Sequence, residues 1–324
     1  MRKRFFLLVV SLFVFTLQSS ISLASNSGLK YDISLHTTEW IKLESKEEMI
    51  KSTKLDVQKL VQLSSEELLD LVLAYPLRID MFAYNSSQEG VDALEKQSDA
   101  LKEFFTRKDA PNILLFRMKV ENVKNNEDTI EKLILGRLLA SEQIWTISQK
   151  KEDILREMDK ANLIVVDSIS SSESSTYVNT TNGTQVPVLI RGELLSYDYM
   201  IQLNNETKAA YPNAIYIAPS TTKYNCHSYA WYYASSSNSY WMNYPTSYMV
   251  DGSYNQFTNV IEANSSTRLY YNNGNHSAVV YANGGPLAGP HKLTVTSKWG
   301  ELPLMRHVAE YSPYNSTGIT MWRR

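Results

Sequence analysis

The chain has a single cysteine in 324 residues, Cys226, so no disulfide can form within it. Histidine is scarce, with five in all. His227, His291 and His307 lack the close ligand spacing of a zinc site, so the sequence calls for no metal and no cofactor. No block of Lys or Arg follows the first few residues, and the formal net charge is −2. Binding of phosphates needs a basic face, so nucleic acid is not an expected partner. No apolar run of membrane-spanning length occurs after residue 17, and no repeat of fixed period is present.

What is there begins with the three parts of an export signal. Arg2, Lys3 and Arg4 give the positive start, and Phe5 to Leu17 the apolar stretch. Ser22-Leu23-Ala24 puts small residues where a signal peptidase reads them, so residues 1–24 are expected to be cleaved off. The competing reading is an uncleaved anchor, but the run is shorter than the roughly 20 apolar residues that a bilayer needs. The expectation is a secreted, extracellular protein with no stable membrane insertion. In an oxidising compartment an unpaired cysteine stands out: either it is buried as a small apolar group, or its reactivity is used.

The composition changes near residue 165. Before it, Leu, Glu, Lys and Asp recur at helical spacing; after it, Tyr, Asn, Ser, Thr and Val form short alternating runs. The expected class is α+β, with a helical bundle over 25–166, a serine-rich connector at 167–176 and a strand-containing domain over 177–324. Ser64 and Glu67 have capping-box spacing ahead of the run Leu68 to Leu73, and Pro76 closes that helix. Further helices are expected over 87–107, 112–120, 127–148 and 151–160. The charges of this half alternate as on solvated faces, which fits a structural or docking role. In the second half, strands are expected at 184–190, 214–218, 267–271, 277–281 and 293–297. The last two read as antiparallel neighbours across Asn283-Gly284-Gly285.

The informative stretch is Tyr224-Asn225-Cys226-His227-Ser228-Tyr229-Ala230-Trp231-Tyr232. It reads as a short helix with Cys226 in its first turn. Free amides and the helix dipole there favour a thiolate, and the same amides, with Tyr224 or Asn225, suit an oxyanion. The thiol is therefore expected to be more acidic than an ordinary cysteine. A base must come from elsewhere. His227 is adjacent, and neighbouring side chains on a helix diverge, so it is a poor partner. His276 opens the apolar strand His276-Ser277-Ala278-Val279-Val280 about fifty residues later. A lone histidine at a strand end is more often structural; here its order after a helix-borne cysteine favours a role as base.

That order resembles the papain-like bacterial amidases and peptidases, above all the cysteine-histidine-dependent amidohydrolase (CHAP) group and the NlpC-type endopeptidases. The matching motifs are Cys226-His227-Ser228-Tyr229-Ala230-Trp231 and His276-Ser277-Ala278-Val279-Val280, and the resemblance covers about 211–307. The chain as a whole also resembles a set of secreted bacterial proteins with a helical first half, through Leu71-Val72-Leu73-Ala74-Tyr75-Pro76 and Ser297-Lys298-Trp299-Gly300. The CHAP and NlpC resemblance implies a papain-like domain, amide hydrolysis through an acyl-enzyme, and peptidoglycan or another extracellular amide as substrate. It also implies a polar residue on the next strand that orients the histidine. Ser297 stands at that place; Glu301, His307 and Asn283 are the alternatives. A serine accepts a hydrogen bond from imidazole but supplies no charge.

The catalytic set expected is thus Cys226, His276 and Ser297. The same site can pass the acyl group to an amine instead of water. The rival reading is a non-catalytic, glycan-binding or adhesive protein, with Trp231, Trp241, Trp299 and Trp322 as a sugar platform. A Cys226 sulfur within reach of an imidazole nitrogen of His276 in an open cleft favours the enzyme. A thiol sealed in an apolar core favours the binder.

Overall fold

The structure is a computed structural model, and it describes residues 28–124, 129–161, 163, 174–271, 274–282 and 289–324. The export signal at 1–24 and residues 167–173 of the serine-rich connector lie outside the described residues. The last three connector residues, Ser174 to Thr176, are strand and pair with Ile190 to Val188.

The chain is α+β. Ser64 caps the helix Ser65–Leu73 in a reciprocal capping box with Glu67. Ser98 divides the expected 87–107 helix into Ser87–Gln97 and Asp99–Phe104. Its backbone is extended, and its hydroxyl accepts from the amide of Leu101, so a second helix starts where the first stops. Helices Ala110–Lys124, Ile130–Ala140, Glu142–Trp145 and Lys151–Lys160 follow. The second half adds one long helix, Tyr197–Ala210, which the sequence reading does not anticipate; Ser196 caps it.

Among the described residues, ten strands form two sheets. β1 (Ser174–Asn179), β2 (Gln185–Ile190) and β4 (Tyr240–Trp241) make the smaller one. The larger has the order β3-β9-β8-β7-β6-β10-β5, with every pair antiparallel. Its members are β3 (Ile215–Ala218), β5 (Asn255–Phe257), β6 (Arg268–Tyr270), β7 (Ser277–Ala282), β8 (Thr294–Lys298), β9 (Leu304–Val308) and β10 (Thr320–Arg323). β7 and β8 are antiparallel neighbours, with Val280 opposite Val295.

Strand alternation gives this sheet two different faces. Leu269, Ala278, Val280, Val295 and Met305 join the same apolar core as the helices of the first half. Ser277, Val279, Lys298 and Leu304 point the other way, towards the segment that carries Cys226. The break in composition near residue 165 is therefore not a break in packing: one core runs from Trp40 to Met321.

Polar contacts tie the halves as well. Trp40 Nε1 donates to Ala210 O at 3.0 Å. The buried pair Lys46–Asp80 is completed by Tyr211, whose hydroxyl donates to Asp80 Oδ1 at 2.7 Å. Arg137 pairs with Glu301, and the Glu301 amide donates to Phe82 O at 2.9 Å. Gly300 sits against that same turn, with φ +53° and room for no side chain: a Cβ there would lie 2.4 Å from the carbonyl carbon of Ala83. Among the described residues, no helix is long and apolar enough to cross a membrane.

Candidate functional site

Cys226 is the first residue of a helix over 226–232. Asn225 caps it: its Oδ1 accepts from the Ser228 amide at 3.1 Å. The cap is itself fixed. Asn225 Oδ1 also accepts from Met242 N, and Nδ2 donates to Met242 O at 2.7 Å and to Asn85 Oδ1 at 2.8 Å. Asn85 belongs to the first half, so both halves set the start of this helix. From Ser228 the helix widens to π geometry, with Tyr233 N donating to Ser228 O.

The sulfur of Cys226 lies against the turn that opens β7. Sγ is 4.0 Å from Asn275 O, and the Ser277 amide is directed at it. His276 stands between those two residues. The fold thus brings the only thiol to the three-residue turn that bears the expected base. Their side chains do not pair, and the thiol is buried, so the arrangement expected to favour the enzyme over the binder is not met in this conformation. Among the described residues, neither nitrogen of His276 has a hydrogen-bond partner. The imidazole instead lies flat on Tyr314 and edge-on to Tyr271.

The other buried histidines differ. His227 Nδ1 meets Ser277 Oγ at 2.8 Å and Nε2 meets Gly274 O at 3.2 Å. Trp231 Nε1 donates to the same Ser277 hydroxyl, so His227 belongs to a packed polar cluster. His307 Nε2 accepts from Trp299 Nε1 and meets Ser297 Oγ at 2.8 Å, which leaves the proton on Nδ1 to donate to Val308 O.

This corrects the expectation for Ser297. It faces the shared core on β8 and is bonded to Trp299 and His307, not to His276. Of the alternatives, His307 is held by those same bonds, Glu301 is paired with Arg137, and Asn283 lies outside the described residues.

The expected acidic thiol is also overturned. Cys226 is 1 % exposed, and burial pushes its thiol up to about 12; the amides of Ser277 and His227 and the charge of Lys298 pull the other way without prevailing. Burial, with His307 and His227 nearby, takes His276 well below its ordinary value. Burial likewise lowers His227 and His307 to about 4. Thiol and imidazole are both neutral in this conformation.

A cleft of about 1140 Å³ reaches the site between the two halves. Its walls include Glu44, Lys46, Tyr84, Lys292, Asn275 and Tyr314. The last two are the residues that touch the thiol and the imidazole, and among the described residues Asn275 Oδ1 lacks a partner. Tyr314 separates His276 from the cleft: its hydroxyl donates to Ala83 O, and Tyr84 packs on it edge-on at 5.5 Å. Nothing in the local sequence marks Tyr314 or Asn85, since each acts across a long chain separation.

Trp231, Trp241 and Trp299 are buried, so these residues form no exposed sugar platform with Trp322. Among the described residues, no group of three or more His, Cys, Asp or Glu is placed to hold a metal ion. Comparison of the chain with family models, with curated proteins and with solved structures finds no match.

Proposed function

We propose that the protein is a secreted thiol amidohydrolase of papain-like chemistry, acting on peptidoglycan or another extracellular amide. The observation that carries this reading is the contrast among the histidines. Buried polar groups are nearly always hydrogen-bonded, because an unpaired one costs about 1–3 kcal/mol. His227 and His307 obey that rule; among the described residues, His276, on the turn that touches Cys226, leaves both nitrogens unpaired beside a cleft. Such an imidazole is kept for something other than packing.

In the reaction, His276 turns out of the Tyr314 stack and takes the Cys226 proton. Sulfur then bonds to the amide carbon. The C–N bond breaks, and the imidazolium returns the proton to the leaving amine. Water cleaves the thioester, releasing the acid and restoring the thiol. On this reading the conformation described is a closed one, with Tyr314 lying on the base.

The test is incubation of the full chain with purified peptidoglycan and with a peptide mixture, with new amines and carboxylates read by mass spectrometry. Release by the wild type, reduced at least about a hundredfold in Cys226→Ser and His276→Ala, is expected. Equal release by Cys226→Ser, or no new amine from either polymer, overturns the reading.

A further inference from the structure

The cleft that reaches Asn275 and Tyr314 has a second wall, made by two helices of the first half, Lys46–Ser52 and Ser87–Gln97. The two run the same way along it. The start of Lys46–Ser52 is tied to the loop that carries Tyr314, since the Lys46 amide donates to Glu310 O at 3.2 Å. The start of Ser87–Gln97 leans on the turn before Tyr84: Gly90 lies too close to Met81 O to carry a side chain, and Tyr84 packs on Tyr314. The far ends also meet, because Lys54 Nζ, just past the first helix, donates to Gln97 O at 3.4 Å.

Along both helices the lining of the cleft changes sign in the same direction. Glu44, Glu47 and Glu48 are followed by Lys51 and Lys54, and Glu89 and Asp92 by Lys96. Ile50 and Ala93 line the cleft between the charges. Acid before base suits the dipole of any lone helix. Two helices in the same sense on one cleft add up to a wall that is acidic beside Tyr314 and basic at its far end. Some of the charges are spent inside the protein: Lys46 pairs with Asp80, Lys54 with Asp99, and Lys292 on the facing wall with Glu310. The rest are not. Among the described residues, no ion pair engages Glu44, Glu47, Glu48, Glu89 or Asp92, nor Lys51 or Lys96. Glu48 accepts only from the Glu44 amide, and Asp92 from the neutral amides of Gln88 and Gln143.

We propose that this wall reads a short peptide with opposite charges at its two ends, the ammonium beside Glu44, Glu48, Glu89 and Asp92 and the carboxylate at Lys51, Lys54 and Lys96. Glu89 and Lys96 stand about 10 Å apart along their helix, which is the reach of about three extended residues. A cleft of about 1140 Å³ holds a ligand of that size and not a folded partner. Ile50 and Ala93 offer the middle of the peptide an apolar surface. The ammonium is either the amino terminus or the side chain of a diamino acid; the chemistry read is the same. The inference rests on the amidohydrolase reading for which end reacts, the ammonium end being the one nearer Asn275 and Cys226, but the binding does not depend on it. It also gives the helical half a task beyond packing.

The test is binding of trialanine to the full chain carrying Cys226→Ser, so that no bond is cut, read by amide NMR shifts at low salt. Should that variant not fold, His276→Ala serves equally. Acetylating the amino end or amidating the carboxyl end should each weaken binding at least about fivefold, the scale of one exposed ion pair. The effect of the acetyl group should shrink when Glu89→Gln and Asp92→Asn are combined, and that of the amide when Lys51→Met and Lys96→Met are. None of these four side chains is buried, so the fold should survive. An acetylated peptide that regains its affinity with lysine in the first position assigns the ammonium to a side chain; one that does not assigns it to the amino terminus. No binding, equal binding of a peptide blocked at both ends, or blocking effects that the variants leave unchanged overturn the proposal. Charge-selective binding by a chain that releases no amine sinks the amidase reading alone. Cleavage by a wild type indifferent to both end charges sinks this assignment alone.

Discussion

His276 and Tyr314 lie face to face, with ring centroids 3.7 Å apart and planes within 13° of parallel. The stack hides both imidazole nitrogens from solvent and gives neither a hydrogen bond. It holds the expected base in a ring stack, on the turn whose backbone the thiol touches, so the predictions start there.

Tyr314→Ala removes the ring that separates His276 from the cleft. Alkylation of Cys226 by iodoacetamide at neutral pH should become at least about tenfold faster, read by mass spectrometry of intact protein. Loss of a fully buried aromatic costs about 3–5 kcal/mol, so the variant should be compared at a temperature where both chains are folded. An unchanged rate would mean that Tyr314 is not the barrier.

His227→Ala and His276→Ala should fail in different ways. His227 is bonded at both nitrogens, and its loss leaves Gly274 O and Ser277 Oγ short of a partner. We expect a loss of about 1–3 kcal/mol in urea unfolding. His276→Ala relieves two unpaired nitrogens and should cost less stability while removing amide cleavage. The reverse ranking in stability would assign the structural role to His276.

Stability should fall in mild acid. His227 and His307 are held near 4 in the folded chain, below the ordinary 6.5. Between those values the unfolded chain binds more protons, so the stabilising contribution is complete above about pH 6.5 and is lost as pH falls towards 4. Each group contributes on the order of 3 kcal/mol. Urea midpoints at pH 7.5 and pH 5 check this; equal midpoints would mean that neither histidine is held neutral.

Gly300→Ala should destabilise the whole chain rather than one half. The added Cβ would lie 2.4 Å from the carbonyl carbon of Ala83, well inside van der Waals contact, and φ is +53°. A cost of at least about 2 kcal/mol is expected, with both halves unfolding in a single transition. A first half that keeps its own melting step would show that the shared core is not cooperative.

Several local features were legible in the sequence because local chemistry decides them. The Ser64–Glu67 box, the helix Lys151–Lys160 and the pairing of β7 with β8 follow from spacing and turn residues. The helix start at Cys226 was legible for the same reason, whereas the approach of the His276 turn was expected from the order of the two motifs and the resemblance. The misses have a common cause. Tyr197–Ala210 was missed although Tyr199, Leu203, Thr207 and Ala210 fall on one buried face, because its Tyr, Asn and Thr residues match the strand-and-loop composition around it. Ser297 sits at the motif position, but strand alternation turns it into the core, where Trp299 and His307 take its hydroxyl. The thiol's acidity was misjudged because the helix start is visible in sequence and its burial is not. Tyr314 and Asn85 reach the site only through the tertiary fold.

The covering ring and its anchor, Tyr314 and Ala83, are 231 positions apart in the chain. A growing polypeptide makes Cys226 well before it makes Tyr314, and at ribosomal speed the gap is on the order of ten seconds. Contacts of such long range also form late in folding. Until the last part of the chain is made and docked, the ring that lies on His276 is absent, so the covering of this site depends on residues far from it in sequence.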